Sequence, residues 1–213
     1  MKTPYSHYSF DLDGTILDTL EIMKIAWELT VQKFHLWHDF SEYKREIGLP
    51  FEVVMKNLGI SDEDQLIQKF YFEQTERMSS QVKIFPNFLD FLERVKLLKV
   101  STSIITSKPR KNSESLLSKF DIDIDILLCG DDKLIGTKPS PYPMEQIKNK
   151  LGLNQEQKII YFGDMLNDLV FSVNSNIDYC HCNFGIIGQL PEYLLPKPMS
   201  IDSWLDDLLK EYL

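Results

Sequence analysis

Strand-like and helix-like segments alternate along most of this chain, and this alternation restricts the fold more than any other feature. Short apolar runs typical of buried strands occur at 8–11, 102–106, 124–129, 159–163 and 177–182. Segments with helical spacing separate the later runs, at 111–120, 141–150 and 166–174. Such alternation is typical of a parallel sheet with helices on both faces. The sequence therefore predicts an α/β fold with a Rossmann-like, three-layer parallel sheet.

The alternation is interrupted once, between the first two strands. Asp11 at the end of the first and Thr106 at the end of the second lie 95 positions apart, far more than one crossover helix requires. Residues 17–82 have helical character almost throughout. We therefore predict a Rossmann-like core formed by residues 1–16 and 83–213, and a helical cap domain inserted at residues 17–82.

Local signals within the insert predict individual helices. Asp18 is expected to cap a helix that runs to about Phe34, and residues 61–64 have the spacing of a second helix start of the capping-box type. Trp27, Phe34 and Trp37 are expected to belong to the apolar core of the insert. A helical unit at the edge of a sheet can close over a bound ligand and exclude water.

Two carboxylates end the first strand, at Asp11 and Asp13, and Gly14 follows them at once. Like charges this close repel each other unless a cation lies between them. Mg²⁺ prefers hard oxygen ligands and would remove the conflict, while the glycine allows a sharp turn away from the site. An acidic surface turn is the alternative interpretation of this motif taken alone.

A hydroxyl pair, Thr106-Ser107, ends the second strand, and Pro109 opens the next segment. Hydroxyls and free backbone N–H groups at a strand end are suited to binding phosphate. A hydroxyl that caps the following helix is an equally good explanation.

A lysine in a proline-bounded loop, Lys138-Pro139, can project into the same crevice. There it would neutralise clustered carboxylates and bind a phosphate oxygen. Lys108 and Lys133 compete for this role, and a solvated surface lysine is the alternative. The proline context favours Lys138.

The fourth strand-like run ends in Gly163-Asp164, and a second acid, Asp168, follows four residues later. If a helix starts near Met165, both acids lie on the same side of it, although they could equally be a helix cap and a first-turn acid. The order Asp-x-Asp, Thr, Lys, Gly-Asp-x-x-x-Asp on successive strand ends is much more specific than any single piece. Ligands of such sheets bind outside the carboxyl ends of the strands.

Taken together, these motifs resemble those of the haloacid dehalogenase superfamily, and most closely its phosphoglycolate phosphatase and β-phosphoglucomutase-like branch. The resemblance extends from the first strand to the last acidic motif and is specific for the superfamily rather than for a substrate. It implies a Mg²⁺-dependent phosphatase with a helical cap that acts on a small phosphorylated metabolite, of the phosphoglycolate or sugar phosphate type, through an aspartyl-phosphate intermediate.

The resemblance also implies a role for each motif residue. Those that act on the phosphoryl group are the nucleophile Asp11, the general acid/base Asp13, the phosphate-binding hydroxyl residues Thr106 and Ser107, and the bridging cation Lys138. Those that hold Mg²⁺ are Asp11, Asp13 through its backbone carbonyl, and Asp164, with Asp168 supporting them from behind.

Three alternatives to this function stay open at this point. A phosphosugar mutase would return the phosphoryl group to sugar instead of to water; Thr15 favours the phosphatase, because mutases similar to this family often carry valine there. A dehalogenase would have no use for Asp13. A non-catalytic binding or regulatory protein would leave the acids, hydroxyl and lysine unused, and clustered carboxylates without a function cost stability.

Composition restricts the partners and the compartment. The net charge of −9 argues against a nucleic-acid partner, although a local cationic pocket with a metal can still bind an anion. Three cysteines form no even disulfide framework and indicate a reducing compartment; Cys180-His181-Cys182 is better explained by a packed strand than by zinc. With no visible secretory signal or membrane-spanning stretch, we expect a cytoplasmic monomer or weak homodimer without a membrane partner.

Overall fold

A five-stranded parallel sheet forms the centre of the protein. We analysed a computed structural model that describes residues 5–132 and 136–188. The five strands are β1 Tyr5–Phe10, β4 Ser101–Ile105, β5 Ile126–Leu128, β6 Lys158–Gly163 and β7 Asp178–His181. Their spatial order is β5-β4-β1-β6-β7, and every neighbouring pair is parallel. The first strand of the chain is therefore the central one.

Four helices cover the two faces of this sheet, so that the predicted three-layer α/β fold is confirmed. They are α5 Phe88–Leu97, α6 Arg110–Lys119, α7 Tyr142–Leu151 and α8 Leu166–Ser175. Apolar residues of α5 and α6 pack with Phe10 and Phe162 in one buried cluster. Those of α7 and α8 pack with Ile105 and Tyr161 in a second cluster. Adjacent residues of β6 point to opposite faces, as the two-residue period of a strand requires.

The central strand carries buried polar side chains that satisfy one another. The ring nitrogens of His7 lie 2.7 Å from the Ser101 hydroxyl and 2.8 Å from the Ser103 hydroxyl. The Ser103 hydroxyl in turn donates to that of Ser9 at 2.8 Å. Because β1 and β4 are adjacent and in register, these polar side chains meet across the strand pair. Buried polar groups are tolerated when they are hydrogen-bonded in this way.

The buried imidazole of His7 predicts a loss of stability in mild acid. Burial, opposed by the charge of Asp125, lowers the pKa of His7 to about 4 from 6.5. The unfolded chain therefore binds a proton below pH 6.5 that the folded protein does not bind until about pH 4. Stability is full above pH 6.5 and falls as the pH decreases towards 4, by about 2 kcal/mol at pH 5 for this group.

Urea unfolding at about pH 7.5 and about pH 5 measures this effect, with His7→Asn as the comparison, because the amide cannot titrate there. The variant should lose about 2 kcal/mol less than the wild type between the two pH values. The pKa of His181 is also lowered, mainly by burial. Because both proteins contain His181, its contribution cancels in the comparison. Equal losses in the two proteins would contradict the assignment.

The segment predicted as the insert consists mainly of four helices with their own apolar core. These are α1 Leu20–Phe34, α2 Phe40–Glu46, α3 Phe51–Asn57 and α4 Leu66–Arg77, followed by a 3₁₀ turn at Ser79–Gln81. Trp27 is fully buried among them and stacks on Tyr43 with ring centroids 4.3 Å apart. Phe34 packs at the edge of the same cluster. Trp37 does not: it is 90% exposed, so its predicted place in the core is wrong.

Two short antiparallel strands join the insert to the core. Strand β2, Leu17–Asp18, pairs with β3, Lys83–Ile84, so the chain enters and leaves the insert side by side. The first two residues of the predicted insert, Leu17 and Asp18, are therefore strand rather than helix. The prediction that Asp18 caps α1 is wrong, because Asp18 lies in β2 and Thr19 is the N-cap.

The second predicted helix start differs in its capping. Helix α4 begins at Leu66, after the 61–64 segment, and its N-cap residue Gln65 has a left-handed backbone conformation. The carboxylate of Asp62 nevertheless accepts hydrogen bonds from the N–H groups of Ile67 and Gln68, at 2.9 and 2.8 Å. An acid caps this helix as expected, but from farther along the chain than a capping box allows.

The cysteine motif is part of the packed core. Cys180 and Cys182 are both fully buried in the cluster with Phe10 and Phe162. Lys133, one of the lysines considered for the site, lies outside the described residues. Across the described ranges, no helix is both long and apolar enough to cross a lipid bilayer.

Candidate active site

Three neighbouring strands deliver the predicted site residues to one edge of the sheet. Asp11 follows β1, Thr106 follows β4, and Asp164 follows β6. Since these strands are adjacent and parallel, their carboxyl ends lie together. Buried apolar residues of each strand fix its depth in the sheet and hence the position of the polar residue after it.

A cluster of buried acids forms at this edge. One carboxylate oxygen from each of Asp11, Asp164 and Asp168 lies within 4.8 Å of the other two, and all three residues are at most 5% exposed. Burial is the main cause that raises the pKa of Asp11, to about 7, and the Asp168 charge adds to it while Lys138 opposes it. Burial and the charges of Asp168 and Asp11 likewise raise the pKa of Asp164 well above its usual value. The cluster therefore needs positive charge to stay ionised.

Lys138 supplies part of that charge. Its ammonium donates hydrogen bonds to Asp11 Oδ1 and Asp168 Oδ1, each at 2.6 Å, and to the Tyr161 hydroxyl at 3.0 Å. Burial alone would lower the pKa of Lys138, but the charges of Asp11 and Asp168 outweigh it and raise the pKa above its ordinary value. The side chain is 2% exposed, so this ion triad is shielded from water and salt.

Both oxygens of Asp168 contact neighbouring groups of the cluster. Its Oδ2 accepts the backbone N–H groups of Asp164, at 3.1 Å, and Met165, at 3.0 Å, while Oδ1 is bound by Lys138. Both oxygens are therefore engaged, and Asp168 fixes the turn after β6 and the lysine at the same time.

Asp164 is held in a tightly packed position. Its Oδ2 accepts the N–H of Ile186 at 2.6 Å, and its Oδ1 accepts the Thr15 hydroxyl at 3.3 Å. Gly14, with φ of +84°, passes so close that a Cβ at position 14 would overlap the Asp164 carboxylate. Glycine is needed here both for the backbone conformation and for this close approach.

The Gly14→Ala variant should therefore be strongly destabilised. Gly59 provides the matched control, because it also has a positive φ, of +70°, but nothing lies within 4 Å of its Cβ position. Gly59→Ala should cost about 1–2 kcal/mol from the backbone conformation alone. Gly14→Ala should cost a further 1–3 kcal/mol or so from overpacking. Urea unfolding of both variants measures the difference, and equal losses would show that the Asp164 carboxylate moves aside freely.

Asp13 faces a second lysine. Lys108 is 5% exposed, and its ammonium lies 3.2 Å from Asp13 Oδ1. That oxygen has no hydrogen bond of acceptable geometry within the described part of the chain. Asp13 is thus charge-compensated through Oδ1, although that oxygen accepts no hydrogen bond of good geometry from the described residues.

The hydroxyl residues after β4 have different roles. Thr106 is 5% exposed, and its hydroxyl accepts the backbone N–H of Lys108 at 3.2 Å. The Ser107 hydroxyl donates to the backbone carbonyl of Gly48 in the insert at 2.5 Å. Ser107 therefore links the core to the insert through its hydroxyl proton.

A small cavity of about 40 Å³ lies between these strand ends and the insert, enough for a few water molecules. Its core side is formed by Asp11, Asp13, Thr106, Ser107, Lys108 and Met165. Its other wall comes from the insert, mainly from aromatic and aliphatic side chains. The insert thus covers the carboxyl ends of the strands, and the cavity is where a reacting group would be enclosed.

The structure brings together the acids, Thr106 and Lys138 that the motifs singled out. Sequence reasoning treated Lys108 as a rival of Lys138, whereas the two lysines serve different acids. A signal for this was present: Lys108 is two residues beyond Thr106, close enough to the strand end to face Asp13. Tyr161 was missed, because a tyrosine within a buried strand gives no sign that its hydroxyl reaches a loop lysine.

A comparison with known families identifies the class of protein. The sequence profile described as "haloacid dehalogenase-like hydrolase" matches residues 8–182. The chain belongs to the haloacid dehalogenase-like hydrolases. The family predicted from the motifs is confirmed, and with it the prediction of a hydrolase.

Among curated relatives, this haloacid dehalogenase-like hydrolase is similar to phosphatases along most of its length. It is 23% identical to a phosphoglycolate phosphatase of Haemophilus influenzae (strain 86-028NP), over 97% of this chain and 96% of that one. It is 26% identical to the pyrophosphatase PpaX of Oceanobacillus iheyensis, over 79% of this chain and 78% of that one.

Solved structures have the same fold. A hydrolase from Pseudomonas syringae superposes with a TM-score of 0.84 at 20% identity, covering 96% of this chain and 99% of that one. CbbY from Rhodobacter sphaeroides, solved in complex with phosphate, gives a TM-score of 0.76 at 18% identity, with 93% and 94% covered. At these identities the likeness establishes the fold of the haloacid dehalogenase-like hydrolases and not a substrate.

Proposed function

We propose that this protein is a Mg²⁺-dependent phosphatase that hydrolyses a small phosphorylated metabolite through an aspartyl-phosphate intermediate. The observation that carries the proposal is the convergence of Asp11, Asp164 and Lys138 at one buried sheet edge beneath the insert. Such a site can hold a divalent cation, a nucleophile and a phosphate in contact with one another.

The residues present fit a divalent cation. The carboxylates of Asp11 and Asp164, with the backbone carbonyl of Asp13, offer the hard oxygen ligands that Mg²⁺ prefers. Burial is the main cause that raises the pKa of Asp11 and Asp164, and a bound cation would favour the ionised form of both. When bound, the ion would polarise the phosphate and screen its repulsion from the carboxylates.

Asp11 is the proposed nucleophile. Its carboxylate is held by Lys138 at 2.6 Å and opens onto the cavity, so an oxygen can attack phosphorus in line with the departing alcohol. Lys138 and Thr106 would stabilise charge on the phosphoryl oxygens, together with backbone N–H groups of the loops after β1 and β4. The insert would exclude water while the aspartyl phosphate forms.

Asp13 is the proposed general acid and base. It lines the same cavity as Asp11, and its Oδ1 has no hydrogen bond among the described residues. It would protonate the departing alcohol and then accept a proton from the water that cleaves the aspartyl phosphate. Lys108, 3.2 Å away, would hold the ionised form between these steps.

Phosphate release from p-nitrophenyl phosphate and from small phosphate esters tests the proposal. Release should require Mg²⁺ and stop with a chelator. A mutase would instead isomerise a sugar phosphate in the presence of a bisphosphate, which phosphorus NMR would detect. No release and no isomerisation across a broad panel would overturn the proposed function.

The Asp13→Ala variant should separate proton transfer from metal binding. We expect kcat to fall by about 10²- to 10⁴-fold, the usual contribution of a general acid/base. Mg²⁺ should still bind, because only the backbone carbonyl of this residue is proposed as a ligand. Asp18→Ala, an exposed acid in the nearby β2 strand, is the control and should keep wild-type kcat. Calorimetric titration with Mg²⁺ accompanies the kinetics; undiminished turnover would remove the acid/base role from Asp13.

A further inference from the structure

The cavity wall contributed by the insert carries no charge. Of the insert residues, all of which the structure describes, those that line the cavity are aliphatic, aromatic or glycine. The aromatic ones are Tyr43, Phe51, Tyr71 and Phe72. The part of a substrate that extends away from the phosphoryl group would therefore contact an apolar surface.

Among the described residues, the core side of the cavity offers no unpaired cation to a second anionic group of a substrate. Four carboxylates at positions 11, 13, 164 and 168 face two lysines, Lys108 and Lys138. Each lysine is already paired, Lys108 with Asp13 and Lys138 with Asp11 and Asp168. A bound divalent cation would offset part of this acidic excess, and the phosphate of a substrate would add negative charge to it again. A further carboxylate or phosphate in the substrate would be buried without a counter-charge, which is costly.

The buried Tyr71 hydroxyl of the insert lies beside that of Tyr43 at the cavity wall without a hydrogen bond of good geometry to a described residue. The Tyr71 side chain is 1% exposed, and its hydroxyl has no hydrogen-bond partner of acceptable geometry in the described part of the chain. Its ring packs against Tyr43, with centroids 5.4 Å apart, and both line the cavity. Burial is the main cause that raises the pKa of both phenols. The interaction between the two hydroxyls raises the pKa of Tyr71 further and opposes the rise for Tyr43, and the Asp13 charge adds to both. Tyr71 is therefore a neutral hydroxyl group facing the reacting end of the site.

We infer that the substrate is a small phosphate monoester whose leaving group is an uncharged alcohol, with a polar atom that pairs with the Tyr71 hydroxyl. The inference rests on the proposed phosphatase function and narrows its substrate class. It separates this chain from relatives whose names refer to phosphoglycolate and pyrophosphate, since both of those substrates carry a second anionic group.

Matched phosphate esters test the charge preference. Phosphoglycolate is compared with its uncharged amide, and both with 2-hydroxyethyl phosphate, in the presence of Mg²⁺. We expect kcat/KM to be about 100-fold or more lower for phosphoglycolate than for the amide, because a charge buried without a partner weakens binding by about that factor. Pyrophosphate should be similarly poor.

A substitution at the cavity rim tests the cause. Leu49 is half-buried and lines the cavity, so a lysine there can reach both solvent and the substrate. Leu49→Lys should raise kcat/KM for phosphoglycolate relative to the amide by about tenfold, whereas the neutral control Leu49→Met should leave the ratio unchanged. No change with lysine would contradict the charge argument.

The Tyr71→Phe variant tests the polar contact. It should lower kcat/KM for 2-hydroxyethyl phosphate by about three- to tenfold and leave ethyl phosphate, which has no second hydroxyl, unaffected. Tyr142→Phe, at a tyrosine that is 44% exposed, is the control. A purely structural role of Tyr71 would reduce both substrates equally and would overturn its assignment.

The outcomes distinguish the two proposals. If no ester is hydrolysed, the proposed function fails and the substrate inference with it. If the uncharged esters are hydrolysed but phosphoglycolate or pyrophosphate is turned over as well or better, only the substrate inference is overturned.

Discussion

The Asp11→Asn variant should lose phosphate release by on the order of 10⁴-fold or more in kcat while keeping its fold. An amide oxygen is a poor nucleophile, and loss of the attacking group removes the covalent route altogether. Asn can still accept the hydrogen bond that Lys138 donates to Asp11 Oδ1 at 2.6 Å. Release of p-nitrophenol from p-nitrophenyl phosphate in Mg²⁺ measures the loss.

Stability provides a second measurement on the same variant. Because burial raises the pKa of Asp11 to about 7, the ionised carboxylate reduces the stability of the metal-free protein above that pH. The sign follows from proton binding: the folded protein holds this proton more tightly than the unfolded chain, so stability decreases as the pH rises from 3.8 towards 7. In chelator at pH 8, Asp11→Asn should therefore unfold at the same or a higher urea concentration than the wild type.

A control separates the nucleophile from a general effect of removing an acid. Asp125 accepts hydrogen bonds from the backbone N–H and the hydroxyl of Thr102, at 2.7 and 3.1 Å, and it precedes β5, away from the strand ends that carry the site. Asp125→Asn should change kcat less than about twofold, as expected for a distant site. Full activity of Asp11→Asn would exclude Asp11 as the nucleophile.

The sheet and its active edge could be predicted because local signals and long-range packing agree there. Three observed strands are followed directly by Asp11, Thr106 and Asp164. Their bounds differ from the predicted bounds mainly at the first residues. Each is a buried apolar run that ends in a polar residue, and the parallel arrangement then aligns those ends. Residue order along the chain was therefore enough to indicate which side chains meet.

Details of the insert could not be predicted in the same way. Trp37 looks like a core residue because of its size, yet it lies in the connection between α1 and α2 and is exposed. The β2–β3 pair depends on residues 17–18 meeting residues 83–84, far apart in sequence. Tertiary contacts decide such features, and the helix or strand propensity of a short stretch of sequence gives no information about those contacts.

The polar side chains of β1 show the same limit. His7 and Ser9 argue against a central buried strand when the strand is considered alone. Their partners, Ser101 and Ser103, lie on β4 about 94 residues later, and only the register of the two strands brings them together. A network whose members are distant in sequence cannot be recognised from one of its strands.

The Lys138→Met variant should be strongly destabilised as well as inactive. The substitution removes the ammonium that neutralises this acid cluster. Asp11, Asp164 and Asp168 then remain buried within 4.8 Å of one another. Breaking a buried ion pair from one side typically costs about 3–5 kcal/mol. We also expect kcat to fall by at least about 10³-fold, since charge on the phosphoryl oxygens would lose one of the cations proposed to stabilise it. Urea unfolding and phosphate release measure the two effects.

The control for this variant is Lys96→Met, which breaks the exposed pair with Asp123 at 3.2 Å and should cost less than about 1 kcal/mol.

A double-mutant cycle then shows whether uncompensated charge is the cause. If it is, Lys138→Met/Asp168→Asn should be more stable than Lys138→Met alone, although each single substitution is destabilising. Added Mg²⁺ should stabilise Lys138→Met more than it stabilises the wild type, because the ion supplies the missing positive charge to Asp11 and Asp164. If the two substitutions are additive and Mg²⁺ stabilises both proteins equally, Lys138 stabilises the fold by packing alone. That result would contradict its proposed role in binding phosphate.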